Sequence, residues 1–453
     1  MADTKRALTI SELIDTRPLS RFQISTILLC GVVLVLDGFD TQCIGFLAPS
    51  IAESLHLRIA AFGPVFAAAL VGLMIASMIA GPIADRVGRK GPIIFATLTF
   101  ALFAIATARA TTLQELIVFR FLTGLGLGGA MPNVVALTTE YAPRRLQQTL
   151  VTMLFCSMPL GALLGGLVSS VMLPRWGWQS VFYVGGLLPL IVALCLIKAL
   201  PESIRFLGVS GKGGRVMSDI LFKIAPEVLP NTVDFATPML IQREKSAPVV
   251  QLFTEGRAGG TILLWIPYFM NLLVLYFIVT WLPALLKQAH MPPLAGVLAV
   301  SIFSLGGIVG SLLEGRIMST RGSFAVLLCE FVVSLLLIFC LGSIASFPLM
   351  MVTTFLLGCF VQGAQAGLNA LAATFYPTAI RSTGVGWALG VGRIGSIVGP
   401  IFGGIMVSHA WTLQHIFFGG ALPALAAALA IVASATLGDR QNPYGAKRYA
   451  DPA

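Results

Sequence analysis

Twelve long apolar runs decide what this chain can fold into. They fall near 22–48, 60–83, 92–110, 113–139, 147–172 and 179–200. After a polar stretch they resume near 258–285, 294–315, 323–344, 347–373, 382–407 and 414–437. A helix crosses a bilayer with about 20 apolar residues. Strands of a membrane barrel are about ten residues long and alternate, whereas these runs are longer and continuously apolar. The expectation is an all-α integral membrane protein with twelve transmembrane helices in two pseudo-symmetric six-helix halves. Composition agrees. Apolar residues make up 57% of the chain and charged residues 11%, against about 25% in a soluble domain. A soluble enzyme, a disordered chain and a secreted disulfide scaffold are excluded.

The runs divide the chain into an N-terminal segment 1–21, a six-helix half 22–200, a polar linker 201–257, a second half 258–437 and a tail 438–453. Thr9-Ile10-Ser11-Glu12 fits a capping box, which predicts a short helix before the first span. No cleavable signal peptide is expected there. The net charge of +10 reads as a topology signal and not as a nucleic-acid signal. With the N-terminus in the cytoplasm, 23 of the 29 lysines and arginines fall on the cytoplasmic side. Arg58, Arg109, Arg175 and Lys287 are left outside, and Arg120 and Arg393 lie within spans. The positive-inside rule therefore places both termini in the cytoplasm, with the chain in the cytoplasmic membrane.

The halves repeat at a nearly constant offset. Gly124 matches Gly358 at 234, Tyr141 matches Tyr376 at 235, and Arg145 matches Arg381 at 236. Gly161 and Gly165 match Gly395 and Gly399 at 234. Gly81-Pro82-Ile83-Ala84-Asp85-Arg86 aligns with a degraded partner, Gly310-Ser311-Leu312-Leu313-Glu314-Gly315, at 229. Two homologous halves with a substrate site at their interface is a transporter arrangement.

Other chemistry finds no footing. The seven cysteines form no CxxC pair and read as small packing residues. Gly124-Leu125-Gly126-Leu127-Gly128-Gly129 is a formal GxGxxG, but it sits inside a predicted membrane helix instead of following a strand. Close helix packing explains it. There is no P-loop, no metal spacing among His56, His290, His409 and His415, and no nucleophile–base constellation. No enzyme activity, cofactor or metal is expected.

The loop Gly81 to Lys90 resembles the signature of the major facilitator superfamily, and Leu200-Pro201-Glu202-Ser203 after the sixth span fits as well. Within that superfamily, Asp37-Gly38-Phe39-Asp40-Thr41-Gln42 resembles the aromatic acid:proton symporter family. So do Leu19-Ser20-Arg21-Phe22-Gln23, Trp281-Leu282-Pro283 and Tyr376-Pro377-Thr378-Ala379-Ile380-Arg381. Gly384 to Trp387 and Gly392 to Gly395 complete the set. The resemblance spans roughly 19–437. It implies uptake of a benzoate-like or phenylpropanoate-like carboxylate with a proton, by alternating access. Other organic-anion symport, drug/proton antiport or an aromatic-acid chemoreceptor are the alternative readings.

Intramembrane charges narrow the machinery, because each is costly to insert. Asp37 and Asp40 are spaced i, i+3 on one helical face and read as the proton-coupling pair, the split between them open. Arg393, among Gly386, Gly390, Gly392 and Gly395, presents a planar fork suited to a carboxylate. It reads equally as a salt bridge to an acid of the first half. Arg120 reads as a binding residue or as a partner of the two aspartates. Asp85, Arg86, Arg89 and Lys90 are gate candidates, with Asp85 placed to meet Arg144, Arg145 or the N-termini of nearby helices. Glu140 joins that layer, and Glu314 with Arg316 is its weaker counterpart. Glu330 has no assigned role.

An aromatic substrate needs flat walls and a few polar contacts. Candidate lining residues are Gln42, Asn133, Tyr268, Asn271, Tyr276, Gln362, Gln365, Asn369 and Trp387. Each amide also reads as helix glue. Trp265, Trp281 and Trp411 read as interfacial anchors.

Overall fold

The computed structural model describes residues 8–210, 214–225, 233–234, 249–292, 294–344, 346–377 and 380–441. Helices dominate, and the long apolar ones are numbered here in chain order. In the first half α1 is Arg21–Ser54, α2 Phe62–Val87, α3 Lys90–Thr107 and α4 Leu113–Tyr141. The helical stretch Arg144–Ala199 follows and is interrupted at Gly177, where φ is 73°. Unbroken, its 56 residues would reach about 84 Å at 1.5 Å per residue, far more than a bilayer core of about 30 Å. Gly177 divides it into α5 (144–176) and α6 (178–199). In the second half α7 is Ala258–Gln288, α8 Ala295–Arg321, α9 Ser323–Leu341, α10 Phe347–Phe375, α11 Arg381–Ser408 and α12 Leu413–Gln441. Among the described residues eleven continuous helices are long and apolar enough to cross a membrane, and the break at Gly177 divides one of them in two, in line with the twelve runs.

The short helix expected ahead of the first span is Ile10–Thr16. The side chains of its Thr9–Glu12 box lie outside the described ones. A capping box does start α1. The Ser20 N–H donates to Gln23 Oε1 at 2.8 Å and the Gln23 N–H to Ser20 Oγ at 3.3 Å. The linker holds two short helices, Ile204–Ser210 and Gly214–Ile224. The second is amphipathic. Met217, Ile220, Leu221 and Ile224 join a core with Leu13, Ile14, Leu137 and Leu196. The linker residues 226–232 and 235–248, and the tail from 442 onwards, lie outside the description.

Two helix ends differ from the sequence expectation. Gly81–Arg86 is not a loop but the last turns of α2, and Gly310–Gly315 lies well inside α8. The chain turns instead at Gly88, φ 91°, and at Gly322, φ 82°. Each N–H closes the same kind of bond, Gly88 to Ala84 O at 2.9 Å and Gly322 to Met318 O at 3.0 Å. These two glycines are 234 apart. So are His56 and His290, the positive-φ residues after α1 and α7. Across these turns the repeat therefore keeps the offset of 234, and the 229 pairing of Asp85 with Glu314 is a misalignment. The equivalent of Glu314 is Ala80, one helical turn and a residue before Asp85.

Contacts group the described chain into two compact units. One takes residues from 1–41, 71–162 and 176–243, and the other from 42–70, 163–175 and 244–441. Glycines bring helices close within each. In the first, Gly72 faces the backbone of Phe121, Gly126 that of Phe100 and Gly128 that of Leu73. The formal GxGxxG is thus a packing seam, as expected. In the second, Gly306 faces Phe355, Gly358 faces Phe303 and Gly395 faces Phe269.

Candidate functional site

In the first unit the charged centre is built on α1 and α4. Asp40 and Arg120 are both 0% exposed. The guanidinium NH1 lies 2.9 Å from Asp40 Oδ2 and 3.1 Å from Oδ1, and NH2 donates to Asp40 O at 3.1 Å. The Phe182 ring stacks 5.9 Å from the guanidinium. Two charges out of water are tolerated at such a place only with tight pairing and further hydrogen bonds. Asp37, one turn earlier and equally buried, accepts from Thr41 Oγ1 at 3.1 Å. Gly38 between them has a mechanical cause. A Cβ there would run into the backbone of Met158 on α5. Phe39 packs its ring against Gly185 of α6. The sequence Asp-Gly-Phe-Asp thus sets two carboxyls on a helix clamped by its neighbours.

Asn133 is buried and donates to Gly129 O, one turn back on α4, at 2.9 Å. The gate candidates form a network whose hub is Glu202, which the sequence reading took only as part of a motif. Its Oε1 accepts from the N–H groups of Arg89 (2.6 Å), Lys90 (3.1 Å) and Ser203 (2.8 Å). A carboxylate on the first N–H groups of α3 suits the helix dipole. Gly88 is glycine for two reasons there, its positive φ and the Glu202 carboxylate standing where a Cβ would go. Arg89 Nε reaches Glu140 Oε1 at 3.0 Å, and Ser203 Oγ donates to Glu140 Oε2 at 2.6 Å. Tyr141 OH donates to Glu202 O at 2.7 Å.

Asp85 does not meet Arg144 or Arg145. It is two-thirds exposed and its ion pair is Arg89, at 3.9 Å. Arg89 stands just past the Gly88 turn, at the start of α3. Arg144 pairs with Asp15 at 3.4 Å, and Arg145 donates to Arg17 O at 2.7 Å. Arg86 is exposed.

In the second unit, α7 and α10 share a polar ladder. Tyr268 OH donates to Asn369 Oδ1 at 3.0 Å. Asn271 Nδ2 donates to Gln365 Oε1 at 3.0 Å and to Val361 O at 3.1 Å. The tyrosine and Asn271 are buried; Gln365 and Asn369 are half-buried and complete the opposite edge. Gln362 fills the space above Gly307 on α8, and Ser311 Oγ donates to its backbone oxygen at 3.3 Å. Tyr276 packs with Leu70 and Leu272. Gln42 is half-buried, its Oε1 accepting no hydrogen bond from the described residues.

Arg393 is half-buried on α11. Of the glycines around it, Gly392 and Gly395 touch α7, whereas Gly386 and Gly390 have nothing within 4 Å. Trp387, 46% exposed, lies nearly parallel to Trp265 with centroids 6.1 Å apart, and Phe253 meets Trp265 edge-on at 5.5 Å. Trp281 is not an interfacial anchor. It is wholly buried, donates from Nε1 to Pro400 O at 2.8 Å and fits against Gly403 and Phe66. Two neighbouring glycines of α11 make room for its indole. Glu314 is turned inward instead of forming a gate with Arg316, which is exposed.

The sequence reading also missed an ion pair within this unit, Lys287 with Glu53. These residues are 234 apart, so each is the repeat equivalent of the other. Gly45, whose repeat equivalent is Val279, faces the Val279 carbonyl. The ends of α1 and α7 therefore meet at equivalent positions. The repeat offset was the signal that would have paired them.

The sequence signature of the Major Facilitator Superfamily matches residues 30–336. The chain belongs to the major facilitator superfamily. Its relatives there are aromatic-acid transporters. It is 36% identical over 428 residues to the 4-hydroxybenzoate transporter PcaK of Pseudomonas putida, covering 94% of this chain and 96% of the other. It is 39% identical over 428 residues to the gallate transporter of the same species, covering 94% and 95%. In fold it matches the xylose transporter XylE from E. coli in an inward open conformation. There the TM-score is 0.73 at 18% identity, over 90% of this chain and 95% of that one. This major facilitator protein is a multi-pass membrane transporter and not an enzyme.

Proposed function

We propose that this transporter imports a small aromatic carboxylate together with a proton across the cytoplasmic membrane, by alternating access of its two halves. One observation carries the reading: a doubly buried Asp40–Arg120 pair with Asp37 one turn away, in a chain whose relatives are named for 4-hydroxybenzoate and gallate. Asp40 has its charge committed to Arg120 and holds that guanidinium in place. Asp37 is then the carboxyl that takes and releases the transported proton. Arg393 offers its fork to the substrate carboxylate. The Tyr268–Asn369 and Asn271–Gln365 pairs supply polar contacts for ring substituents, and Trp387 supplies a flat apolar wall.

The excess of basic residues on one set of loops supports cytoplasmic termini. Glu53–Lys287 and Phe66–Trp281 then lie on the outer side, and they part when substrate enters from there. Uptake of radiolabelled 4-hydroxybenzoate into cells tests the reading. An uncoupler should abolish accumulation, and accumulation that survives it would overturn the coupling. Asp37→Asn should lose accumulation while keeping substrate exchange. Arg393→Lys should raise the half-saturating concentration, and an unchanged value would remove Arg393 from the substrate site.

A further inference from the structure

Glu314 and Glu330 take no part in the mechanism above, yet they are 3% and 6% exposed. They come from adjacent helices, α8 and α9, and both face α10 at its glycines. A Cβ placed on Gly363 would stand 2.7 Å from Glu330 Oε1 and 3.5 Å from Glu314 Oε2. The two carboxyls therefore stand around one point beside α10. Their remaining oxygens, Glu314 Oε1 and Glu330 Oε2, are buried and accept nothing from the described residues. Carboxylates only accept hydrogen bonds, so two carboxyls facing one point can bond each other only with a proton on one of them.

Among the described residues no cation stands in for that proton. Among the described residues neither glutamate is in an ion pair. On α8, Arg316 and Arg321 are exposed. On α9 the other titratable groups are Cys329 and Cys340, both exposed. The sequence of α10 has no charged residue. On α12, which packs against α9, His415 is exposed, and Asp439 and Arg440 are close to the helix end. On α7, Lys287 is engaged by Glu53.

The repeat shows that packing does not call for these acids. At the fixed offset of 234, Glu314 corresponds to Ala80, Glu330 to Ala96 and Gly363 to Gly129. In the first half the Ala96 methyl lies 3.2 Å from the Cβ position of Gly129. A methyl group stands at this place in one half, and two carboxyls stand there in the other.

We propose that Glu314 and Glu330 form a proton-binding site of the second half, a carboxylic acid–carboxylate pair that holds one proton between α8 and α9. It stands apart from the Asp37 site and does not depend on the transport reading. Infrared titration of the purified full-length protein tests it through the carbonyl band of a protonated carboxyl. At neutral pH the wild type should show such a band, and Glu314→Gln/Glu330→Gln together should remove it. Each single Gln variant should shift or remove it, because a shared proton reports on both groups. Asp37→Asn should leave it in place, which separates this site from the transported proton. Gly363→Ala, which crowds Glu330 without changing either acid, should also shift the band. The proposal is overturned if the double variant, read in an Asp37→Asn background, retains the band or if either single variant leaves it unmoved. Loss of the wild-type band on adding sodium would overturn it too, since the pair would then hold a metal cation.

Discussion

Two buried acid sites in this protein solve the same electrostatic problem in opposite ways. In the first unit Asp40 meets a guanidinium, and the pair is complete without a proton. In the second, Glu314 meets Glu330 beside Gly363, and the proposed pair is complete only with one. The first arrangement is rigid, because removing either partner strands a charge in the core. The second is adjustable, because its charge changes with one proton. A scaffold repeated at a constant offset thus carries a fixed ion pair in one half and a proton-dependent contact in the other. The contrast lies in the partner, not in the burial.

The largest expected effect separates the two directly. Asp40→Asn leaves Arg120 buried without its counter-charge and should cost about 3–5 kcal/mol of stability. Glu330→Gln keeps a hydrogen-bonding group and should cost no more than about 1.5 kcal/mol. Unfolding of both variants in the same detergent measures the difference, and equal losses would erase the contrast. Next come the glycines beneath each site. Gly38→Ala drives a Cβ into the Met158 backbone and should cost about 1–3 kcal/mol. Gly363→Ala comes under 3 Å only to the tip of the Glu330 side chain and should cost less. If Gly363→Ala is the worse of the two, the acid pair is the more rigid site.

A comparable effect concerns the Glu202 network, at the opposite end of α4 from Arg120. Glu202→Ala removes the acceptor of three N–H groups and should cost about 1–3 kcal/mol, read by the same unfolding assay. The second unit's Glu314, which the 229 alignment set opposite this layer, should not share that loss when changed to Gln. The smallest effect is at Lys287. Its pair with Glu53 is substantially exposed, so Lys287→Gln should cost about 0.2–1 kcal/mol. A double-mutant cycle with Glu53→Gln should show the coupling shrinking as salt rises.

Much of the site was legible in the one-dimensional chain because charge is rare there. Asp37, Asp40 and Arg120 stood out simply as ionisable residues in apolar runs, and the structure joins Asp40 to Arg120. Partners that depend on where a helix ends were not legible. Asp85 was set opposite Arg144 because Gly81–Arg86 read as a loop. With α2 running to Val87, the carboxylate faces Arg89 instead. Glu202 was similarly opaque, since its three acceptor bonds go to backbone groups, which leave no trace in composition. Trp281 looked interfacial from its place near a span end. Only Gly403 and Gly404 on a distant helix explain how so large a ring is buried.

By itself the sequence determined the number of helices, their division into two repeated halves and the family, because bilayer thickness and internal homology are written in run length and offset. Tertiary structure alone decided which buried charges are partners. Asp40 lies 80 residues from Arg120, and Glu314 and Glu330 come from separate helices. Pairing over such separations follows from how closely the glycine seams let helices approach, and that is a property of the packed molecule.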